Sequence, residues 1–358
     1  MKNMKKRGLC LCAAAVLLGI CGCGRETELP VTFAVVTDGG STEDQAVNQA
    51  VWQTVQAYGE ETGEETGCYV PEDKSASACR DAIDEAVKKG AEVVVCHGEE
   101  AGAAVYEAQR EYRDVRFLLL DAEPHAGGSD RARLRGNTRC ILFDREEAGF
   151  LAGYAAVREG YTSLAYYGGA DGDRAKEYGA GFLEGAQEAA LEMQLEEGGV
   201  QIRYEERGTD GVSPEFMNET EQLYREGCQA IFTDGSAFET MVRKAAELTG
   251  GNVLGVVTDE SQKSANVVIS AANKYEEILK QELQDVAGES FDGGKTETAG
   301  IREGGVGLTM DTSRLQNFTE DQYQEIIGKI EEGQIQFRGT EVLEHTDDLQ
   351  LLQLQTDG

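Results

Sequence analysis

The stretch VTFAVVTDGG, residues 31–40, shows the pattern that decides the fold. Val31–Thr37 is a mostly apolar run of strand length, Asp38 ends it, and a pair of glycines then permits a tight turn. An amphipathic stretch from Asp44 to Thr62 follows at once. A continuous apolar strand that leads through a short turn into a helix is typical of a parallel sheet covered by helices.

The same alternation continues along the chain, so we predict an α/β fold, and 358 residues are enough for two lobes. Strands are predicted at Val31–Thr37, Ala91–Cys96, Val115–Leu120, Asn137–Phe143, Ser163–Tyr167, Gln201–Glu205, Ala230–Thr233, Val253–Thr258 and Asn266–Ser270. Helices are predicted at Asp44–Thr62, Ser77–Lys89, Ala101–Tyr112, Glu146–Arg158, Arg174–Met193, Pro214–Glu226, Phe238–Leu248 and Tyr275–Val286. A last helix is predicted to begin at a capping box of Thr319 and Gln322 and to stop at Gly333.

The N-terminus has the pattern of an export signal. Basic side chains cluster within residues 2–7, and an apolar core follows from Leu9 to Ile20, which is too short to span a bilayer. Ile20-Cys21-Gly22-Cys23 resembles a bacterial lipobox, with Cys23 as the lipidated residue. We therefore expect a lipoprotein signal peptide at residues 1–22, a tether at 23–30, and a protein anchored by lipid to the extracytoplasmic face of the membrane. A plain secretory cleavage is the alternative.

The charge of the chain disfavours several kinds of partner. The sequence has 33 Lys and Arg against 66 Asp and Glu, a formal net charge of −33. Such a surface repels phosphate backbones and anionic lipid headgroups, so we expect no nucleic-acid partner, and membrane contact only through the lipid anchor.

Cysteine and histidine spacing gives no sign of a metal or a cofactor. We expect the cysteines beyond the N-terminal segment to be mostly buried free thiols, although Cys68 and Cys79 could pair. His97, His125 and His345 lie far apart, without the spacing of a zinc site. The glycine turns do not extend into a dinucleotide or ATP motif. We predict neither metal nor cofactor.

Four predicted strands end in aspartate, at Asp38, Asp121, Asp234 and Asp259. Ligands of open parallel sheets bind beyond the carboxyl ends of the strands, so this pattern predicts carboxylates gathered in one crevice. An ionised carboxylate only accepts hydrogen bonds, which favours a ligand rich in N–H and O–H donors, such as a nucleobase edge and a ribose diol. The alternative is that each Asp serves as a turn former or helix N-cap.

Several segments resemble the basic membrane protein family of ABC-transporter substrate-binding lipoproteins. The matching segments are residues 37–49 with Trp52, Phe117–Asp121, Leu142–Ala156, Gly168–Gly169, Tyr178–Ala186, Gly255–Glu260 and Ser270–Lys274. The run Phe143-x-x-Glu146-Glu147-Ala148-x-x-Leu151-Ala152-Gly153 is the most specific of them. The resemblance covers most of residues 31–335.

The resemblance implies a type I periplasmic-binding-protein fold, with two lobes that are each a mostly parallel sheet flanked by helices. We expect residues 31–143 plus 259–300 in the N-terminal lobe, 144–258 plus 301–345 in the C-terminal lobe, and a tail at 346–358. Hinge segments are expected near Phe143–Asp144, Thr258–Asp259 and residues 288–304.

The resemblance also implies a purine nucleoside as ligand. By position, Asp38 and Asp121 would address the base, Asn48 would support the loop beside it, and Asp259 would accept from the ribose hydroxyls. Lys274 falls one residue beyond the family lysine, whose aligned place is Asn273, so either residue could contribute.

Two positions depart from the family pattern. Val47 stands where the family has the phenylalanine that stacks on the base, and Val257 replaces the first aspartate of the closing motif. Phe238 could supply an aromatic ring from the other lobe, or could belong to the core.

We interpret the chain as a non-enzymatic solute-binding protein whose small-molecule ligand, expected to be a purine nucleoside, passes to the permease of an ABC importer. One alternative is a ligand-sensing receptor for a membrane signalling partner. A secreted nucleoside hydrolase is less favoured, because the sequence shows no metal-ligand spacing and no Ser-His-Asp or Cys-His set.

Overall fold

The computed structural model describes residues 31–43, 46–127, 129, 131–169, 172–208, 212–288 and 290–356. The predicted signal peptide, Cys23 and the predicted tether lie outside these residues. The strands are β1 (Phe33–Val36), β2 (Thr66–Tyr69), β3 (Val93–His97), β4 (Arg116–Leu120), β5 (Thr138–Phe143), β6 (Ser163–Gly168), β7 (Val200–Glu206), β8 (Ala230–Asp234), β9 (Asn252–Val257), β10 (Val267–Asn273), β11 (Lys295–Ala299), β12 (Val306–Leu308) and β13 (Leu352–Thr356). The helices are α1 (Val47–Thr62), α2 (Ala76–Lys88), α3 (Glu99–Glu111), α4 (Arg145–Glu159), α5 (Asp173–Glu192), α6 (Pro214–Arg225), α7 (Ser236–Thr249), α8 (Tyr275–Ala287) and α9 (Glu320–Glu331).

The first lobe is built on a six-stranded sheet in the order β11-β5-β4-β3-β1-β2, and every neighbouring pair in it is parallel. Side chains of one strand alternate between two cores, because successive residues point to opposite faces of a sheet. In β1, Phe33 and Val35 pack with α1 and α8, whereas Ala34 and Val36 pack with α2 and α3. This double burial explains the continuous apolar runs in the sequence.

The second lobe has a seven-stranded sheet in the order β12-β10-β9-β8-β6-β7-β13. Its strands are parallel except β12, which runs antiparallel to β10. Tyr166 in β6 packs toward α5, and the next residue, Tyr167, packs against Phe216 of α6. Both lobes are therefore helix-covered parallel sheets, and the predicted fold class is confirmed.

The chain passes between the lobes at three places that lie side by side. It crosses after β5, after β10 and after β11. The Asp144 amide donates to the Ala299 carbonyl at 3.1 Å, and the Lys274 amide donates to the Gly305 carbonyl at 2.7 Å. These hydrogen bonds connect the crossing segments, which form the hinge of a two-lobed protein.

Strand pairing corrects two expected boundaries. β10 pairs with β9, so residues 267–273 belong to the second sheet and their assignment to the N-terminal lobe is wrong. The chain crosses after Asn273 rather than at Thr258–Asp259, because β10 completes a parallel pair before the return. β13 pairs with β7, so residues 346–358 are not simply a tail.

Helices α4 and α5 pack backbone against backbone. A Cβ atom added at Gly181 would lie 1.9 Å from the Glu146 carbonyl oxygen, and one at Gly185 would lie 1.9 Å from that of Phe150. The contacts advance in the same direction along both helices, so the helices are parallel and their N-termini are neighbours. This contact places the first residues of both helices side by side at the interlobe cleft.

The predicted capping box is confirmed, because Thr319 and Gln322 form it at the start of α9. At the start of α6, the Ser213 hydroxyl accepts from the Phe216 amide. Cys68, Cys79, Cys96, Cys140 and Cys228 are free thiols, and all except Cys68 are buried.

Within the described residues, no helix combines the length and the apolar character needed to cross a bilayer.

Candidate functional site

A cavity of about 1000 Å³ lies between the lobes, at the carboxyl ends of strands from both sheets. From the first lobe it is lined by Asp38 after β1, His97 at the end of β3 and Asp121 after β4. From the second lobe it is lined by Asp234 at the end of β8 and Val257 at the end of β9. The crevice predicted from strand ends therefore brings together three of the four aspartates.

Asp38 is held in place by a network of side chains. Its Oδ1 accepts from Asn48 Nδ2 at 2.7 Å and from the Gly40 amide at 2.9 Å, and its Oδ2 accepts from Lys74 Nζ at 3.2 Å. Asn48 Oδ1 is 2.7 Å from His97 Nε2, so this ring nitrogen donates to the amide oxygen. Burial raises the pKa of Asp38, but hydrogen bonds from Asn48, the Gly40 amide and Lys74, together with the electrostatic effect of His97, outweigh it and lower the pKa to about 2. Asp38 is therefore an ionised acceptor at the cavity wall.

Asp121 lies where the two lobes meet. Its backbone φ is 61°, a left-handed conformation that Asp tolerates better than most residues. Its Oδ2 accepts from the Tyr275 hydroxyl at 3.0 Å, and its Oδ1 is 3.4 Å from Arg145 Nη2. Asn273 in turn donates to the Tyr275 oxygen at 3.0 Å. Asp121 is thus partly engaged within the protein.

Two arginines line the cavity at adjacent helix N-termini. Arg145 is the first residue of α4 and Arg174 the second of α5. Cations near a helix N-terminus are unfavourable by about 0.3–1 kcal/mol each, because the helix dipole favours negative charge there. The two guanidinium groups also repel each other electrostatically. Sequence reasoning missed both, although a cation in the first turn of a helix is a detectable signal.

Asp234 is buried and forms hydrogen bonds within the second lobe. Its Oδ1 accepts from the Gly169 amide at 2.8 Å and lies 3.3 Å from the Tyr166 hydroxyl. These bonds join the ends of β6 and β8. Asp234 therefore shapes the second-lobe wall.

A pair of glutamates lies on the same wall. Glu260, whose side chain is 1% exposed, accepts from Lys263 Nζ at 2.7 Å. Burial, with the negative charge of Glu260 beside it, raises the pKa of Glu239 well above its usual range. Glu239 therefore keeps its proton to a higher pH than a solvent-exposed glutamate does.

Two predicted site residues, Asp259 and Lys274, are not part of the cavity lining, and a third, Phe238, reaches the lining from the core. Asp259 accepts from the Ser261 amide and from the Thr312 hydroxyl, each at 2.9 Å, so it behaves as a turn residue. The next residue, Glu260, faces the cavity instead. Lys274 caps α8 at the hinge, with its side chain beside Gly307. Phe238 touches the cavity but is 1% exposed and packs edge-on against Phe216, with ring centroids 4.8 Å apart.

The two positions that depart from the family pattern both line the cavity. Val47 is the first residue of α1, and Val257 has a φ of 67°, which is strained for a β-branched residue. Val212 also contributes to the lining. The cavity thus offers aliphatic surface from both lobes.

Among the described residues, no group of three or more His, Cys, Asp or Glu could hold a metal ion.

The two helix-covered sheets and the three hinge crossings define a two-lobed α/β fold with a cavity between its lobes. Solved structures share this fold: an ABC transporter solute-binding protein from Conexibacter woesei DSM 14684 has a TM-score of 0.67 at 17% identity, covering 87% of this chain and 99% of that chain. A solute-binding protein from Aeropyrum pernix K1 has a TM-score of 0.59 at 19% identity, covering 90% of this chain and 91% of that chain. These likenesses show the fold.

The chain belongs to the Bmp family, described as ABC transporter substrate-binding protein PnrA-like, whose model matches residues 31–340. Basic membrane protein D of Borreliella burgdorferi (strain JD1) is 29% identical over 224 residues, which is 60% of this chain and 61% of that protein. The ABC transporter nucleoside-binding protein BmpA of Lactococcus lactis subsp. cremoris (strain MG1363) is 23% identical over 361 residues, which is 91% of this chain and 99% of that protein.

Proposed function

We propose that this substrate-binding protein captures a purine nucleoside outside the cell and presents it to the permease of an ABC importer, while a lipid on Cys23 holds it at the membrane. Membership in the family supports a role in ABC transport, and the name of the Lactococcus relative supports a nucleoside. The lipobox supports the anchor.

The observation that carries the proposal is the ionised Asp38 in the interlobe cavity. Asn48, the Gly40 amide and Lys74 bind its oxygens, so the carboxylate stays charged and fixed. A fixed carboxylate binds N–H and O–H donors, and a desolvated one favours them strongly. The donor-bearing edge of a nucleobase and a ribose diol both fit this chemistry.

The sides of the cavity suit a flat ring without an aromatic partner. Val47 comes from the first lobe, and Val212 and Val257 come from the second. Aliphatic side chains on both sides exclude water from a ring face, which stabilises binding in proportion to the apolar area covered. Closure of the lobes about the hinge brings the two sets together, and the ligand favours the closed state because it contacts both lobes.

Isothermal titration calorimetry and thermal unfolding with inosine, guanosine, adenosine, free ribose and maltose test the proposal. Nucleosides should bind and raise the unfolding temperature; linkage gives about 2.7 kcal/mol of stabilisation at a ligand concentration of 100 Kd. Ribose should bind more weakly, and maltose should not bind. Absence of binding by every nucleoside, or release of free base from a bound nucleoside, contradicts the proposal.

Metabolic labelling with a radioactive fatty acid tests the anchor. The wild type should incorporate the label and fractionate with membranes, whereas Cys23→Ser should be unlabelled. Equal labelling of both proteins contradicts lipidation at Cys23.

A further inference from the structure

We propose that Arg174 is a specificity-determining residue that selects 6-oxopurine nucleosides over 6-aminopurine nucleosides. This inference rests on the proposed function and names the ligand class for the same cavity. It depends on how the donors and acceptors of the cavity are distributed.

Arg174 reaches the cavity from the start of α5. It follows the glycine turn after β6 and lines the cavity together with Gly172. Its side chain is partly buried, and the negative charge of Asp121 attracts it electrostatically. It forms no hydrogen bond or salt bridge with any residue that the structure describes. A guanidinium withdrawn from water needs acceptors, and a bound ligand would supply them.

Arg145 extends the donor surface beside it. One terminal nitrogen binds Glu177 at 2.9 Å and the other lies 3.4 Å from Asp121, whereas its Nε is buried without a hydrogen-bond partner among the described residues. The Tyr275 hydroxyl donates to Asp121. This part of the cavity lining therefore carries two guanidinium groups beside the carboxylate of Asp121, so hydrogen-bond donors outnumber acceptors there.

The cavity wall formed by the first lobe beside α1 has the opposite character. Asp38 is an ionised acceptor, and its donor neighbours, Asn48 and Lys74, are directed at its own oxygens. A matching ligand carries donors toward Asp38 and a pair of acceptors toward Arg174.

Purines differ in the hydrogen-bonding groups that they carry at positions 6 and 7 of the ring. A 6-oxopurine presents O6 and N7 as two adjacent acceptors, which a guanidinium binds in a bidentate manner, and its N1–H is a donor. A 6-aminopurine presents N7 with an amino group, which is a donor and leaves one guanidinium N–H facing another N–H. The donor-only fork of Arg174 therefore disfavours the amino form.

Calorimetric titration of the purified protein with inosine, adenosine, guanosine and 7-deazaguanosine tests the inference. The wild type should prefer inosine to adenosine by about tenfold or more, and guanosine to 7-deazaguanosine, which lacks the N7 acceptor, by a similar factor. Arg174→Met should reduce both ratios to within about threefold. Arg174→Lys should retain only part of each preference, since an ammonium lacks the planar fork.

Lys176→Met is the matched control, because it removes a positive charge from the same end of α5 at a residue outside the cavity lining. Its nucleoside ratios should equal those of the wild type, and circular dichroism should show that all variants fold. If Arg174→Met binds nucleosides with unchanged ratios, this inference fails and the proposed function stands. If the wild type binds no nucleoside, both fail.

Discussion

Replacing Gly181 with alanine tests the backbone contact between α4 and α5 that aligns the two cavity arginines. The new Cβ would lie 1.9 Å from the Glu146 carbonyl oxygen and 2.8 Å from the Phe150 amide nitrogen, whereas real Cβ atoms essentially never come within 3.0 Å of such atoms. Both opposing atoms are backbone, so the helices must move apart. Overpacking of this kind costs about 1–3 kcal/mol or more, and the better helix propensity of alanine returns about 1 kcal/mol.

We therefore expect Gly181→Ala to lower the free energy of unfolding by about 1–2 kcal/mol in urea denaturation followed by circular dichroism. Gly328→Ala is the matched control, because Gly328 lies inside α9 and a Cβ there meets nothing within 4 Å. That variant should gain about 0.5–1 kcal/mol from helix propensity. Equal unfolding midpoints for the two variants would refute the close packing of α4 and α5.

Three further predictions concern acidic side chains. Asp38→Asn should weaken nucleoside binding in calorimetry about tenfold or more, because a charged acceptor is lost; Asp259→Asn should change it less than about threefold, and the reverse ranking would restore the sequence assignment. Glu239 ionises near 4.5 in the unfolded chain but keeps its proton to higher pH when folded, so its contribution to stability falls as pH rises above 4.5. The unfolding temperature of Glu239→Gln should therefore fall less than that of the wild type between pH 5 and 8, and parallel plots of unfolding temperature against pH would contradict this. Glu159 accepts from the amides of residues 316–318, so Glu159→Gln should cost about 2–3 kcal/mol in urea denaturation, and an unchanged midpoint would disprove that role.

The sequence predicted the buried strands well, because strands covered on both faces must be apolar throughout. It missed β2, β11, β12 and β13, whose composition is polar or glycine-rich. β11 reads Lys-Thr-Glu-Thr-Ala and has exposed side chains at the edge of the first sheet. Such strands form because a neighbour offers unpaired backbone groups, and composition does not report that.

The sequence predicted those site residues whose place in the cavity follows from their position at the end of a parallel strand. Asp38, Asp121 and Asp234 reach the cavity because each ends a parallel strand, which periodicity reveals. Asp259 does not, since the left-handed turn at Val257 redirects the chain and presents Glu260 instead. Arg174 depends on how closely α4 and α5 approach, and only three-dimensional packing shows that.

The edge strand β13 has a consequence for how this protein matures. Leu352–Thr356 pairs with β7, a strand formed by residues 200–206. The outermost strand pair of the second sheet therefore joins segments that lie far apart along the chain. Pairing across such a separation is entropically slow to establish. A chain truncated before Leu352 would leave β7 as an open edge able to pair with other molecules. With β13 in place, the edge of the sheet is instead a strand of five residues whose exposed side chains are polar, which is a poorer template for pairing.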